Sequence, residues 1–484
     1  MKLTNLGDDA RIALENIGDF AAGFVNPTLR LGVTGLSRSG KTVFITALIH
    51  NMLHQGRLPN FSAQADGRIA RAFLQPQPDD AIPRFAYETH VEKLIEERVW
   101  PNSTSRISQL RLTIEYESAS FLSRTIGGGR LNIDIVDYPG EWLLDLPLLA
   151  KDYQTWSSEA LALARLPNRK KSSRKWLTTI DTIDPLQAAD EKKAQDLAAI
   201  FTDYLHACRK DENALSMLPP GRFLMPGDLE GSPAVTFVPL DVGEGEAPAD
   251  SLWHLMERRY EAYKQLVIKP FFRDHFARLD RQIVLVDALQ ALNAGSAAVR
   301  DLESAISEIL NCFQPGQASW LSSIIMRRID RIIFAATKAD HLHHTDHDKL
   351  ESLLSQIVQG AIERATFKGA SIDVVALASV RATREAVFKE KGDTLNCIVG
   401  TPMASEKIDG IAFDGESEKA IFPGSLDIDL KTLLKSQAAE KKPDLQFVRF
   451  RPPQPQETAE GLTLSLPHIR LDRVMDFLIG DKLT

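Results

Sequence analysis

The 484-residue chain is 44% hydrophobic and 25% charged, carries a net charge of −8 and has three cysteines. Its length makes two or three structural units the expectation, and its negative charge argues against generalised nucleic-acid binding. No apolar run reaches the roughly 18 residues a membrane span needs, no basic-then-apolar signal opens the chain, and Cys208, Cys312 and Cys397 are too few and too scattered for a disulfide framework or a Cys-based zinc site, which suits a reducing cytoplasm.

In chain order, Ala10, Leu14, Ile17, Phe20, Ala21 and Phe24 recur at helical spacing, so residues 8–24 are expected as an amphipathic helix ended by Asn26-Pro27. Its polar face carries Arg11 alone among Asp8, Asp9, Glu15 and Asp19, too little positive charge for a membrane surface, so packing on a neighbouring domain is expected, with peripheral membrane contact as the alternative. Leu29, Leu31 and Val33 then alternate as in a strand. Gly35-Leu36-Ser37-Arg38-Ser39-Gly40-Lys41-Thr42 fits G-x-x-x-x-G-K-S/T, and Val43 to Leu53 reads as an apolar helix. Strand, glycine-rich loop and helix form the context of a phosphate-binding P-loop. The amides of Ser37, Arg38, Ser39, Gly40, Lys41, Thr42 and Val43 would wrap phosphates, aided by the positive end of the helix. Lys41 would reach the β- and γ-oxygens, and Thr42 would offer its hydroxyl to Mg2+.

Pro59, Pro76, Pro78 and Pro83 make the following stretch loop-like, and residues 85–99 read as a charged helix closed by Trp100-Pro101-Asn102-Ser103-Thr104. Leu110, Leu112, Ile114 and Tyr116 alternate as a strand, Gly127-Gly128-Gly129 turns the chain, and Leu131, Ile133 and Ile135 form the partner strand. That strand runs into Asp137-Tyr138-Pro139-Gly140. D-x-x-G alone is a weak signal, but an acidic residue ending a strand downstream of a P-loop is placed to attend Mg2+. The Gly140 amide would then face a γ-phosphate.

Residues 141–279 read as a mainly helical insertion. Asp184-Pro185 resembles a cap and first turn opening a helix to about Cys208, residues 217–250 are Pro- and Gly-rich loop, and helix returns over 251–277. Arg165, Arg169, Lys170, Lys171, Arg174 and Lys175, with Trp176 beside them, form a basic cluster. It is read as a solvated loop, the alternative being contact with an acidic partner or anionic lipid.

Ile283-Val284-Leu285-Val286 is a continuous apolar strand ending in Asp287, as in a parallel sheet covered on both faces. Val299, Leu302, Ile306, Leu310 and Phe313 line a helical face. A second buried strand, Ile332 to Ala336, ends in Thr337-Lys338-Ala339-Asp340. N/T-K-x-D in this position reads guanine: one carboxylate, Asp340, accepts from both N1–H and N2–H2, donors that adenine lacks, while the Lys338 stem lies along the base. His341 would border the base. His343 and His347 are i,i+4 and could chelate a metal on a helix, but no further ligand is placed beside them, so a solvated helix start is expected. A helix then runs to about 364, and the strand Asp373 to Leu377 ends in Ala378-Ser379-Val380, where Ser379 and Val380 hold the position that commonly offers an N–H to guanine O6. Residues 394–424 read as a β-meander turning at Gly400 and Asp414-Gly415. Phe447, Val448 and Phe450 suggest a late strand, and 471–479 a final helix returning to cover the nucleotide domain.

GLSRSGKT, DYPG and TKAD stand in the order used by Ras-like GTPases. With the WPNST stretch, DYPGEWLLDLPLL and ATKADH, the chain resembles the YcjX family over most of its length. These are bacterial P-loop GTPases associated with stress responses. The resemblance implies GTP binding and hydrolysis with Mg2+. It also implies that Trp100, Ser103 and Thr104 form the switch I contact region, with Thr104 joining Mg2+ when GTP is bound; spacing alone does not choose Thr104 over Thr113 or Ser108.

The expected architecture is a Ras-like α/β domain, a mostly parallel sheet with helices on both faces. Residues 1–27 form its terminal helix, 28–140 its first half, 141–279 the helical insertion, 280–384 its second half, and 385–484 a β-rich excursion with a terminal helix. Candidate catalytic groups are Lys41, Glu141 and Arg38. Glu141 occupies the place after D-x-x-G where Ras-like enzymes carry a water-positioning Gln, the equal alternative being that it caps or braces the switch. Arg38 is unusual in such a loop; guanylate-binding proteins carry a built-in arginine finger at the same relative position, and the alternative is an arginine that points to solvent or pairs with a carboxylate of the insertion. The expected partners are a guanine nucleotide with Mg2+, a protein effector or activator, and a second copy of the chain if dimerisation orders Arg38; no nucleic acid is expected. A cytoplasmic switch with slow hydrolysis is the leading reading. The alternatives are a nucleotide-binding scaffold with negligible turnover, and an ATPase or nucleotide kinase, against which Asp340 argues.

Overall fold

The computed structural model describes residues 27–36, 38–102, 106–118, 129–210, 214–242, 247–311, 329–366, 370–390, 393–404, 406–408, 410–428, 445–454, 457–458, 461–462 and 465–484. The expected helix over 8–24, Ser37, Ser103, Thr104 and Phe313 lie outside the described residues.

Seven strands make the central sheet: β1 (Thr28–Gly35), β2 (Ile69–Gln75), β3 (Ser108–Tyr116), β4 (Gly129–Asp137), β5 (Arg281–Val286), β6 (Arg331–Ala336) and β7 (Ser371–Ala376). Their order is β2-β3-β4-β1-β5-β6-β7. β4, β1, β5, β6 and β7 pair in parallel, and β3 pairs antiparallel with both β2 and β4. The fold is thus mixed α/β with a mostly parallel sheet.

Side chains alternate across the strands, so the continuous apolar runs of β5 and β6 feed two layers. Ile283, Leu285, Ile333 and Ala335 face one, with Leu29, Leu31 and Val33 of β1. That layer is closed by α1 (Lys41–Leu53) and by the last helix of the chain, which contributes Val474, Met475 and Leu478. Val286, Ile332 and Phe334 face the other, covered by helices whose apolar stripes include Val299, Leu302 and Ile306, and Leu350, Leu353 and Leu354.

The stretch expected as loop between α1 and the charged helix α2 (Tyr87–Ile95) contains β2. It is an edge strand of half-exposed residues, so it lacks a buried alternation, and Pro76 ends it.

Between β4 and β5 lie α3 (Tyr153–Ala164), α4 (Lys170–Ile180), α5 (Glu191–Arg209) and α6 (Leu252–Tyr263). Two expectations here are corrected. The helix ending near Cys208 opens at Glu191, because Asp190 caps it by accepting from Lys193 N at 2.6 Å, whereas Asp184 makes a tight turn with Leu186 N at 2.9 Å. The basic cluster is solvated but is not a loop: Lys170, Lys171, Arg174 and Lys175 are exposed on α4 and Arg165 is exposed ahead of it, whereas Trp176 is fully buried and Arg169 is buried in an ion pair with Asp301. Asp301 belongs to α8 (Ser296–Asn311), which follows the short α7 (Ala288–Ala294).

After β6, α9 (His347–Thr366) leads to β7. A three-stranded antiparallel sheet follows, with β9 (Asp393–Gly400) between β8 (Arg384–Glu390) and β10 (Lys419–Ile421). It begins ahead of the expected meander. Phe447 to Phe450 form no continuous strand; Phe450 makes one bridge to Pro402 and packs with Ile398, Ile421 and Val448. No helix among the described residues is long and apolar enough to cross a membrane.

The closing helix α10 (Leu471–Ile479) is held to the sheet by apolar packing and by Arg281 of β5, which reaches Asp481 at 2.8 Å. Leu478 is only 1% exposed. Leu478→Ala is therefore expected to lower unfolding free energy by about 2–5 kcal/mol in urea titrations. The control Leu266→Ala, at a residue 70% exposed, should change it by less than about 0.5 kcal/mol.

Candidate functional site

Parallel register sets the site. Val33 pairs with Asp137, Gly35 with Leu285, Val286 with Ala336, and Ala336 with Ala376. The segments after these strands therefore leave one edge of the sheet together, where ligands of open α/β sheets bind.

At that edge Gly40 caps α1 in left-handed backbone, φ 81°, which costs a residue without a Cβ little. Arg38 also has positive φ, 65°. Ser39 packs against Gly35, where a Cβ would lie 2.3 Å from Ser39 Oγ, and that hydroxyl is buried without a hydrogen-bond partner among the described residues. Lys41 is half-buried and makes no ion pair among them, while Thr42 is buried and Val43 half-buried. An unsatisfied hydroxyl and an uncommitted ammonium at a helix N-terminus fit an anion.

Asp137, 1% exposed, sits beside the P-loop strand. Gly140 follows with no room for a side chain: a Cβ would fall 1.4 Å from the Gly35 carbonyl oxygen. The backbone of D-x-x-G thus lies directly on the P-loop. Glu141 is buried, and its Oε1 meets Arg209 Nη2, from the end of α5, at 2.5 Å. Arg38 remains accessible to solvent, yet the protein packed around it and the nearby Arg209 and Arg449 hold its pKa below the ordinary arginine value, with Asp287 and Glu141 opposing.

At the other end, Lys338 adopts φ 63° and its ammonium pairs with Asp287, which also caps α7. Asp340 is buried; its Oδ2 accepts from Ala382 N at 2.9 Å and its carbonyl from Thr383 Oγ1 at 2.5 Å. Ala339 N donates to Leu377 O at 3.1 Å. These bonds bring the TKAD turn to the segment after β7, where Ser379 is half-buried and Val380 buried. His341 meets the Phe450 ring edge-on at 5.6 Å, and burial lowers its pKa. Trp100 Nε1 donates to the Phe450 carbonyl at 2.6 Å. His343 and His347 do not converge: His347 Nε2 donates to Ala339 O at 3.0 Å, and His343 caps the turn ahead of α9 by accepting from Thr345 N.

The edge thus gathers Arg38, Ser39, Gly40, Lys41, Thr42, Asp137, Gly140 and Glu141 at one end. Lys338, Asp340, His341, Ser379 and Val380 lie at the other. Sequence reading missed Asp287, whose strand-end position was a usable signal, and also Arg209 and Phe450, which carry no local signal.

The profile of the YcjX-like family, DUF463, matches residues 29–483. Ras-like GTPase YcjX of Escherichia coli strain K12 is 40% identical over 471 residues, covering 95% of this chain and 97% of that protein. Ras-like GTPase YcjX of Shewanella oneidensis is 33% identical over 476 residues, covering 94% of each chain.

The 3-10 segment Gly140–Ala150, which begins just before Glu141, carries Asp145 into the interior. Tyr263 Oη donates to Asp145 Oδ2, and Gly221 N to Oδ1, each at 2.7 Å. Burial outweighs these bonds and pushes the carboxyl pKa up from 3.8 to about 7. The folded state then keeps a proton that the unfolded chain releases, so this contribution to stability is full below about pH 4 and is lost as pH rises to about 7. Relative to Asp145→Asn, the wild type should lose about 1.4 kcal/mol of stability per pH unit across that window, with no slope from this group outside it. Urea unfolding at stepped pH reads the difference.

Proposed function

The chain belongs to the YcjX-like family, and on that premise we propose that it binds guanine nucleotides with Mg2+ and hydrolyses GTP as a nucleotide-dependent switch. The observation that carries this reading is the arrival at one sheet edge of the P-loop, Asp137 and Asp340. The names of the two relatives support GTPase chemistry.

Phosphates would rest on the amides of residues 37–43 and on Lys41. Thr42 and Asp137 would hold Mg2+, which neutralises charge on the β- and γ-oxygens when bound. The buried Ser39 hydroxyl, without a hydrogen-bond partner among the described residues, supports the fit of an anionic ligand at this loop. Asp340 would read guanine N1–H and N2–H2, with the Lys338 stem along the base and His341, Ser379 and Val380 around it. Trp100, Ser103 and Thr104 are assigned to switch I, with Thr104 on Mg2+, by the resemblance alone, as is the link to stress responses.

Arg38 would act on the phosphates. Surrounding protein and the nearby Arg209 and Arg449, partly offset by Asp287 and Glu141, disfavour its charge, which an incoming anion would favour. Residues 141–279 would be the insertion through which an effector or activator acts, and slow turnover alone would follow from leaving the final arrangement to that partner. The carboxylate of Asp340 favours this over an ATPase or kinase reading, because adenine presents no donor pair to it.

Asp340→Asn should move nucleotide preference from GTP toward XTP by at least about tenfold, since the amide donates to the xanthine 2-oxo group that the carboxylate repels. Competition among GTP, XTP and ATP in both proteins checks this, and an unchanged order would remove Asp340 from base reading. Arg38→Ala should keep GDP affinity nearly unchanged and lower single-turnover phosphate release by about 10³-fold. Equal rates for wild type and variant across protein concentrations would discard the finger.

A further inference from the structure

Glu141 poses a chemical problem at its position. A carboxylate can accept a proton-bearing contact from an attacking water, but it is repelled by a γ-phosphate, unlike the neutral Gln usual there. In this chain the carboxylate is not left alone. Arg209 meets it at 2.5 Å, and the two side chains are 17% and 6% exposed, respectively.

The pair is fixed from three directions. Arg209 Nη1 also contacts Met225 Sδ at 3.7 Å, and Met225 O accepts from Trp142 Nε1 at 2.9 Å, next to Glu141. A Cβ on Gly221 would fall 1.8 Å from the Glu141 carbonyl oxygen, so that backbone is packed without slack. The Arg222 guanidinium lies 3.1 Å over the Trp142 ring. Residues 221–225 therefore clamp both partners, while Gly140, the residue before Glu141, is packed against the P-loop.

We infer that Arg209 is a positioning residue for GTP hydrolysis, supplied by the helices between β4 and β5, which neutralises Glu141 and holds its carboxylate toward the attacking water. This inference rests on the GTPase reading above. Paired with a guanidinium, the carboxylate is close to charge-neutral toward the γ-phosphate yet keeps lone pairs to orient water. The reaction is ordinary hydrolysis: the water oxygen bonds to the γ-phosphorus, the bond to the bridging oxygen breaks, GDP leaves, and the water proton passes to inorganic phosphate. Arg209 and Glu141 end as they began.

The test is a double-mutant cycle on the full chain, reading single-turnover phosphate release from Mg-GTP, GDP affinity and thermal midpoint. Arg209→Ala should slow release by about tenfold or more while GDP affinity stays within about threefold. Arg209→Lys should restore part of the loss. In the Glu141→Gln background there is no charge to neutralise, so Arg209→Ala should cost less than about threefold further, whatever rate Glu141→Gln itself retains. The same cost in both backgrounds, or no cost in the first, overturns the proposal: Arg209 would then act on the phosphate directly or only on the fold. If Arg209→Ala does not fold, the cycle runs with Arg209→Lys, whose smaller loss should likewise vanish beside Glu141→Gln. A wild type that binds no GTP overturns the GTPase reading, whereas an active wild type with additive variants overturns only the role of Arg209.

Discussion

The structure depends on the parallel register around β1. Because β1 lies between β4 and β5 with Val33 opposite Asp137 and Gly35 opposite Leu285, the P-loop, the D-x-x-G turn and the segment leading to Asp287 must leave the sheet at one edge. Two glycines then let backbone meet backbone. Gly140 rests on the Gly35 carbonyl at a distance no side chain allows, so a shift in either loop is felt by the other. Coupling through packed backbone of this kind leaves little compliance for independent motion.

Two outlying parts of the chain come to this edge. From the helices between β4 and β5, Arg209 reaches Glu141. From the C-terminal part, Phe450 offers its carbonyl to Trp100 and its ring to His341. Trp100, which the resemblance assigns to switch I, and His341, next to the TKAD turn, thus share one neighbour. The long segments between the motifs thus contact the motif-bearing loops as well as building the core.

What the sequence made legible was local. The P-loop, D-x-x-G and TKAD each declare themselves by residue type at a strand end, and β5 and β6 by apolar runs that only a sheet covered on both faces requires. The closing helix α10 was legible from its apolar spacing. Long-range pairing was not legible. Arg169 reads as a solvated cation until Asp301, far along the chain, is seen beside it in the interior. β2 hid because an edge strand needs no buried alternation. Phe450 acts on Trp100 through its carbonyl, a group every residue has, so no side-chain pattern could mark it.

The central claim is that this edge takes guanine nucleotide and cleaves its γ-phosphate. The most direct measurement is single-turnover phosphate release by the purified full chain, with Mg2+, from GTP and from ATP in parallel, each with the other nucleoside triphosphate as unlabelled competitor. The account predicts GDP and phosphate from GTP, with release unaffected by ATP and little phosphate from ATP. Equal release from both, or competition by ATP as effective as by GTP, would contradict it.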